Sequence, residues 1–225
     1  MKHKFWSKLV SGRDVLIPWG LGWLLALIST WIFVDLAGDV WLKEGFTWDA
    51  PVMLAIHRYA RPWLTQLMLV ITSTGQSVAV IVLAIVLYWL WRRERKLDAL
   101  TALVSFVGAV AISTVLKLVF ARPRPHVFPP LVPADTYSFP SGHTLAAVAL
   151  YGLLAILLWR GRHRWWALLS AVWVLVVGLS RIYLGVHYPS DVVASLALGT
   201  LWLVLIMAGH DRLARRWTEE AEDGE

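Results

Sequence analysis

Cysteine is absent from this chain of 225 residues. That excludes disulfides, thiolate metal ligands and a cysteine nucleophile. Charge is scarce as well: 16% of residues are Asp, Glu, Lys or Arg, against about a quarter in an average soluble domain. Internal repeats and low-complexity linkers are missing too. What fills the chain is apolar, 58% of its residues, with 15 tryptophans among them. The formal charge of +6 does not point to nucleic acid, because the basic residues gather on no soluble face. They punctuate apolar runs, as in a polytopic membrane protein.

The runs predict an all-α fold, a membrane helix bundle of six transmembrane helices plus short interfacial helices. Lys2, Lys4, Lys8 and Arg13 precede an uncharged run from Val15 to Val34, long enough to cross a bilayer. Asp35 disturbs the nearby Leu36-Ala37, so the run reads as an uncleaved first span rather than a signal peptide. Asp49 to Tyr59 reads as a short helix in the interface, near Trp41, Trp48 and Trp63. Pro62 to Trp91 holds no charge. As one helix it would reach roughly 45 Å, beyond a hydrocarbon core of about 30 Å. The polar Thr72-Ser73-Thr74-Gly75 is the natural break, leaving an interfacial or partly inserted helix and a second span over 77–91. The third span runs from Ala99 to Leu116 and is closed by Lys117. Prolines keep the loop from Arg122 to Pro140 out of helix. The fourth span runs from Ser141 to Trp159, the fifth over 165–180, the sixth from Pro189 to about Ala208, before a basic then acidic tail. We read residues 1–225 as a single integral-membrane domain.

Charge sets an orientation. The N-terminal segment, Arg92–Lys96, Arg160–Arg164 and Arg212–Arg216 carry most of the 21 Lys and Arg, and all fall on one side of a six-span model. Short flanking segments rich in Lys and Arg stay cytoplasmic, which puts both termini inside. The outer face then receives three polar stretches far apart in sequence: Lys117 to Arg124, the start of the fourth span, and Ser180 to Asp191.

Those stretches have complementary chemistry. Lys117, Arg124 and Arg181 supply three permanent cations, and arginine forks match phosphate oxygens while lysine acts as a point charge. Ser141 is a good N-cap, Gly142 lets a ligand approach the backbone, and N–H groups at a helix start bind anions. Pro189 suits a first helical position, so Asp191 in the first turn reaches back to His187. A histidine oriented by a carboxylate beside an arginine has the parts of an activated nucleophile next to an anion clamp. Plainer roles exist: Lys117 as a snorkelling lysine, Ser141-Gly142 as a cap only, His143 bonded to a carbonyl. Arg122, His126 and His57 are assigned no role.

Lys117-x6-Arg124-Pro125, Pro140-Ser141-Gly142-His143 and Ser180-Arg181-x5-His187-x3-Asp191 resemble the three-part signature of the type 2 phosphatidic acid phosphatases. That superfamily also includes bacterial acid phosphatases and vanadium haloperoxidases. The motifs lie within residues 117–191 and the layout is most similar to the bacterial phosphatidylglycerophosphatase B group; the first 110 residues carry no signature. The resemblance implies a metal-independent membrane lipid phosphatase with no cofactor, no nucleic-acid ligand and no obligate protein partner. Its substrates are phosphatidylglycerophosphate, phosphatidate or undecaprenyl diphosphate, met at the outer face of a bacterial cytoplasmic membrane. It also implies the roles: His187 becomes a phosphohistidine, Asp191 fixes its tautomer, and His143 is acid then base. Lys117, Arg124, Arg181, Ser141 and the Gly142 N–H hold the phosphate oxygens. Alternatives are a lipid phosphotransferase using the same phosphohistidine, a haloperoxidase, and a non-catalytic anion-binding transporter.

Overall fold

The computed structural model describes residues 19–134 and 136–223, so the N-terminal basic cluster and the start of the expected first span lie outside the described residues. Helix α1 (Trp19–Trp41) does not stop at Val34 but continues through Asp35 and Asp39. Packing explains the extension: Leu36, Ala37 and Val40 are buried against Phe139 and Ala194, which outweighs two charges at the interface. Helix α2 (Asp49–His57) is the short element expected there. Helices α3 (Pro62–Ser73) and α4 (Ser77–Arg92) are separate pieces bent by 45° at the polar break.

Helix α5 (Lys96–Phe120) ends at Ala121, whose left-handed φ of 45° turns the chain. Lys117 therefore sits in the last helical turn rather than beyond it. Helix α6 (Gly142–Arg160) contains one π turn, Val148–Gly152. The Ser105 hydroxyl donates to the Ala149 carbonyl in that turn at 2.9 Å, satisfying an oxygen where the helical ladder is displaced. Helix α7 (Arg164–Tyr183) follows, then α8 (Pro189–Asp223), which runs well past the expected end near Ala208. Tertiary contacts hold the extension. Both Asp211 oxygens accept from Arg160, at 2.7 and 2.9 Å, and His210 stands 3.0 Å from Asp98 and 2.9 Å from Asp211.

Helix α6 lies at the centre. Ala146, Ala147, Leu150 and Leu153 are buried with Leu83 of α4, Phe106 of α5, Val177 of α7 and Leu203 of α8. Small residues let these backbones approach, the usual solution where lipid removes the hydrophobic drive between helices. Large apolar residues instead face outward: Leu27 and Trp31, Ile81 and Ile85, Val107 and Leu118, Leu169 and Val172 are all exposed. A water-soluble monomer does not carry so continuous an apolar surface. Among the described residues five helices are long and apolar enough to cross a membrane, and the bent α3–α4 pair makes a sixth if taken as one span. Tryptophans rim one end, where Arg93 lies over Trp89, Lys96 over Trp91 and Arg164 over Trp159, the amphipathic belt of a membrane interface. The protein is an all-α, multi-pass membrane bundle. Successive long helices alternate in direction, so the end of α5, the start of α6, the end of α7 and the start of α8 share the opposite end.

Candidate active site

At that end a cavity of about 1260 Å³ is lined by Lys117, Arg124, Gly142, His143, Arg181 and His187, among others. Six of the eight expected site residues thus share one wall. The cavity continues between α4 and α5 past the apolar Val80, Val110 and Leu118, whose side chains are exposed on the lipid-facing surface.

The proline-rich loop brings the first cations together through Thr136. Its hydroxyl accepts from Lys117 Nζ at 3.2 Å and from Arg124 Nη2 at 3.0 Å, and its carbonyl accepts from Arg124 Nε at 2.5 Å. Arg124 Nη1 also donates to the Val186 carbonyl at 2.7 Å, tying this loop to the one carrying His187. Arg181 is buried and donates from Nη1 to the Thr72 hydroxyl at 2.6 Å. Three cations are thereby aimed at one space by neutral acceptors, which orient them without consuming their charge.

The first turn of α6 packs directly on α5. A Cβ on Gly142 would stand 3.0 Å from Ser113 Oγ and 3.7 Å from Lys117 Cε, so glycine gives the close approach without displacing the Ser113 side chain. As an N-cap, Ser141 departs from expectation. It is fully buried, makes no side-chain cap, and its hydroxyl pairs with that of Thr144 at 2.9 Å. Gly75, at the α3–α4 break, lies against His143: a Cβ there would be 3.0 Å from the His143 carbonyl oxygen and 3.2 Å from its Cβ. The break is held by Tyr151 and Trp173, which donate to the Thr74 carbonyl and hydroxyl at 2.9 and 3.0 Å.

His187 is 1% exposed, in the loop between α7 and α8, with Nδ1 3.4 Å from Asp191 Oδ2. Asp191 lies behind it, fully buried, and accepts the Tyr188 N–H at 2.9 Å. Burial pushes the His187 pKa well below its ordinary value, and the cations Arg181, Arg124 and Lys117 push it the same way, while the Ser138 backbone opposes them. The imidazole is therefore neutral at physiological pH, with a lone pair available for attack.

Two residues escaped sequence reasoning. Arg122, assigned no role there, is 11% exposed and donates from Nη1 to Asp191 Oδ1 at 2.5 Å and to the Ser190 hydroxyl at 2.8 Å. Its Nη2 reaches Asp49 at 3.0 Å. Asp49 opens α2 and is buried, and nothing in sequence links it to the loop it meets. His126 is exposed and lines the cavity, and His57 stacks on Phe128 with centroids 3.8 Å apart. Among the described residues no group of three or more His, Cys, Asp or Glu is placed to hold a metal ion.

A space framed by three cations, two histidines and a helix start, and open toward lipid, suits an enzyme that handles phosphate esters within a membrane. Comparison with known proteins narrows the class. The family model of the PAP2 superfamily matches residues 98–215. Phosphatidylglycerophosphatase B of Bacillus subtilis is 30% identical over 84% of this chain and 95% of its own length. An undecaprenyl-diphosphatase of Sulfolobus acidocaldarius is 34% identical, over 80% of this chain and 85% of its own. The crystal structure of the transmembrane PAP2-type phosphatidylglycerolphosphate phosphatase of Bacillus subtilis superposes with a TM-score of 0.75 at 28% identity, covering 83% of this chain and 96% of that one. This chain belongs to the PAP2 superfamily, and it is a phosphoric ester hydrolase of the membrane.

Proposed function

We propose that the protein hydrolyses phosphate monoesters or diphosphates of membrane lipids through a phosphohistidine on His187. The observation that carries this reading is a neutral, buried His187 in the cavity wall beside Lys117, Arg124 and Arg181. With Nδ1 toward Asp191, Nε2 attacks phosphorus; the P–N bond forms as the P–O bond to the lipid breaks. His143 gives the leaving oxygen its proton, then takes one from the water that cleaves the P–N bond. The three cations and the first turn of α6 hold the equatorial oxygens where negative charge builds. The acyl or prenyl tail stays in the bilayer along the apolar α4–α5 side. The relatives' names point to phosphatidylglycerophosphate and undecaprenyl diphosphate as candidates, with phosphatidate as a third.

In this reading the chain is one domain of a bacterial cytoplasmic membrane. The Arg92, Arg160 and Arg212 segments and both termini lie in the cytoplasm, and the cavity lies on the outer side. The test is phosphate release by the purified protein from the three lipids, with quenching in alkaline detergent to trap the phosphoenzyme and its loss in acid to identify it as phosphohistidine. Release from at least one lipid, with an acid-labile phosphoenzyme that His187→Ala abolishes, is the expected result. Normal turnover by His187→Ala overturns the assignment.

A further inference from the structure

Behind the cavity lies a closed cluster of four side chains from three parts of the chain, of which only Asp191 has been given a role so far. Asp49 Oδ1 accepts the Ser190 N–H at 2.9 Å. Asp49 Oδ2 accepts the Ser190 hydroxyl at 2.6 Å and Arg122 Nη2 at 3.0 Å. Arg122 Nη1 in turn donates to the Ser190 hydroxyl and to Asp191 Oδ1. The Arg122 guanidinium is walled by aromatic rings, 4.1 Å from the centroid of Tyr188 and 5.3 Å from that of Phe46. The side chains of Asp49, Arg122 and Asp191 are 4%, 11% and 0% exposed, so water screens these charges little.

The arrangement poses an electrostatic problem. Arg122 stands closer to Asp191 than His187 does, 2.5 Å against 3.4 Å. Alone, the Arg122–Asp191 pair is neutral and gives little to a positive charge on the imidazole. Yet the imidazole becomes positive when Nε2 bonds phosphorus while Nδ1 keeps its proton. The second carboxylate changes the balance. Asp49, Arg122 and Asp191 together carry one net negative charge, matched by the imidazolium that forms during attack.

We propose that Asp49 is a positioning residue of the nucleophile: through Arg122 it restores the net negative charge behind His187 that the arginine would otherwise cancel. It touches neither substrate nor His187. The inference rests on the phosphohistidine reading above. The plainer role, a carboxylate that only caps the start of α8 through the Ser190 N–H, makes a different prediction.

The two roles separate in rapid-quench kinetics on the full-length protein in detergent, with labelled phosphatidate as the probe if the wild type turns it over, otherwise the lipid from the panel that it does. Removing the charge destabilises the phosphorylated, cationic imidazole relative to the neutral one. Formation of the phosphoenzyme should therefore slow and its hydrolysis should not slow, because breaking the P–N bond relieves the positive charge. In Asp49→Asn we expect phosphorylation to fall about 10–100-fold, the effect of one partly screened neighbouring charge. The hydrolysis step should be equal or faster, KM little changed, and the steady-state phosphohistidine level reduced. Asp49→Glu, which keeps the charge, should recover part of the lost forward rate.

Phosphorylation at the wild-type rate in Asp49→Asn overturns the proposal. So does an equal slowing of both steps, or equal losses in the Asn and Glu variants, since geometry rather than charge would then decide. Failure of Asp49→Asn to fold assigns the residue to the fold and overturns it too. If the wild type itself yields no acid-labile phosphoenzyme on any of the lipids, it is the phosphohistidine reading that fails, a result distinct from all of these.

Discussion

Arg181 Nη1 donates to the Thr72 hydroxyl at 2.6 Å, joining residues 109 apart in sequence. One is the cation expected to clamp phosphate, and the other is a neutral hydroxyl in the last turn of α3. Arg181 is buried and its Nε has no hydrogen-bond partner, so Thr72 is what aims the fork. Thr72→Val removes the acceptor at nearly constant volume. A hydrogen bond to a charged group contributes about 1.5–3 kcal/mol, so kcat/KM should fall about 10–100-fold. Thr72→Ser should keep most of the activity. Steady-state kinetics on both variants checks this.

Gly75→Ala tests the break between α3 and α4. The added Cβ meets the His143 carbonyl oxygen at 3.0 Å and Val177 Cγ1 at 2.9 Å. A backbone oxygen does not yield as a side chain does, so the first turns of α6 must shift and carry His143 with them. Misplacement of a catalytic group by about 1 Å costs on the order of 10²-fold. The expected result is a kcat loss of that order while the protein still elutes as a folded species from size exclusion in detergent.

His143→Ala should discriminate between leaving groups. A lipid alkoxide needs a proton, so phosphorylation on phosphatidate should fall about 10²–10⁴-fold, the range for general acid catalysis. A nitrophenolate leaves without help, and the same step should suffer less on an aryl phosphate. Hydrolysis of the phosphoenzyme still lacks its base, so phosphohistidine should accumulate with the aryl substrate. Rapid-quench rates on the two substrates are the measurement.

The pH profile follows from the direction of the His187 shift. Protonation removes the nucleophilic lone pair, and burial with three nearby cations holds the protonated form off until well below the ordinary histidine range. No acid limb of kcat/KM from this residue should therefore appear between pH 8 and about pH 6.5, the value of an unperturbed histidine. Arg124→Gln removes one of the cations, which raises the His187 pKa. The acid limb of its residual activity should move to higher pH.

Topology is open to labelling because the native chain has no cysteine. Pro129 and His163 are both exposed, at opposite ends of α6. In intact cells with a permeable outer envelope, a membrane-impermeant maleimide should modify Pro129→Cys. His163→Cys should react only after lysis. The reverse pattern would turn the cavity toward the cytoplasm.

Sequence alone determined the helical membrane character, the order of the long helices and the polar break over residues 72–75, because twenty-residue apolar runs and their charged ends are local signals. It also named the residues that converge on the cavity, through motifs that put Lys117, Gly142, His143 and Arg181 in terminal helical turns and His187 in the loop before α8. Tertiary structure decided the rest. The α1 end moved from Val34 to Trp41 because burial of Leu36 and Val40 against Phe139 outweighs the charge pattern. The reach of α8 past Ala208 depends on Arg160 and Asp98, which the chain brings to it from other helices. The Ser141 hydroxyl turned to Thr144 instead of the helix start. Asp49, Thr72, Thr136 and Arg122 acquired their partners only on folding. A buried charge is satisfied by whatever acceptor packing delivers, and that identity is a property of the assembled bundle rather than of any stretch of chain.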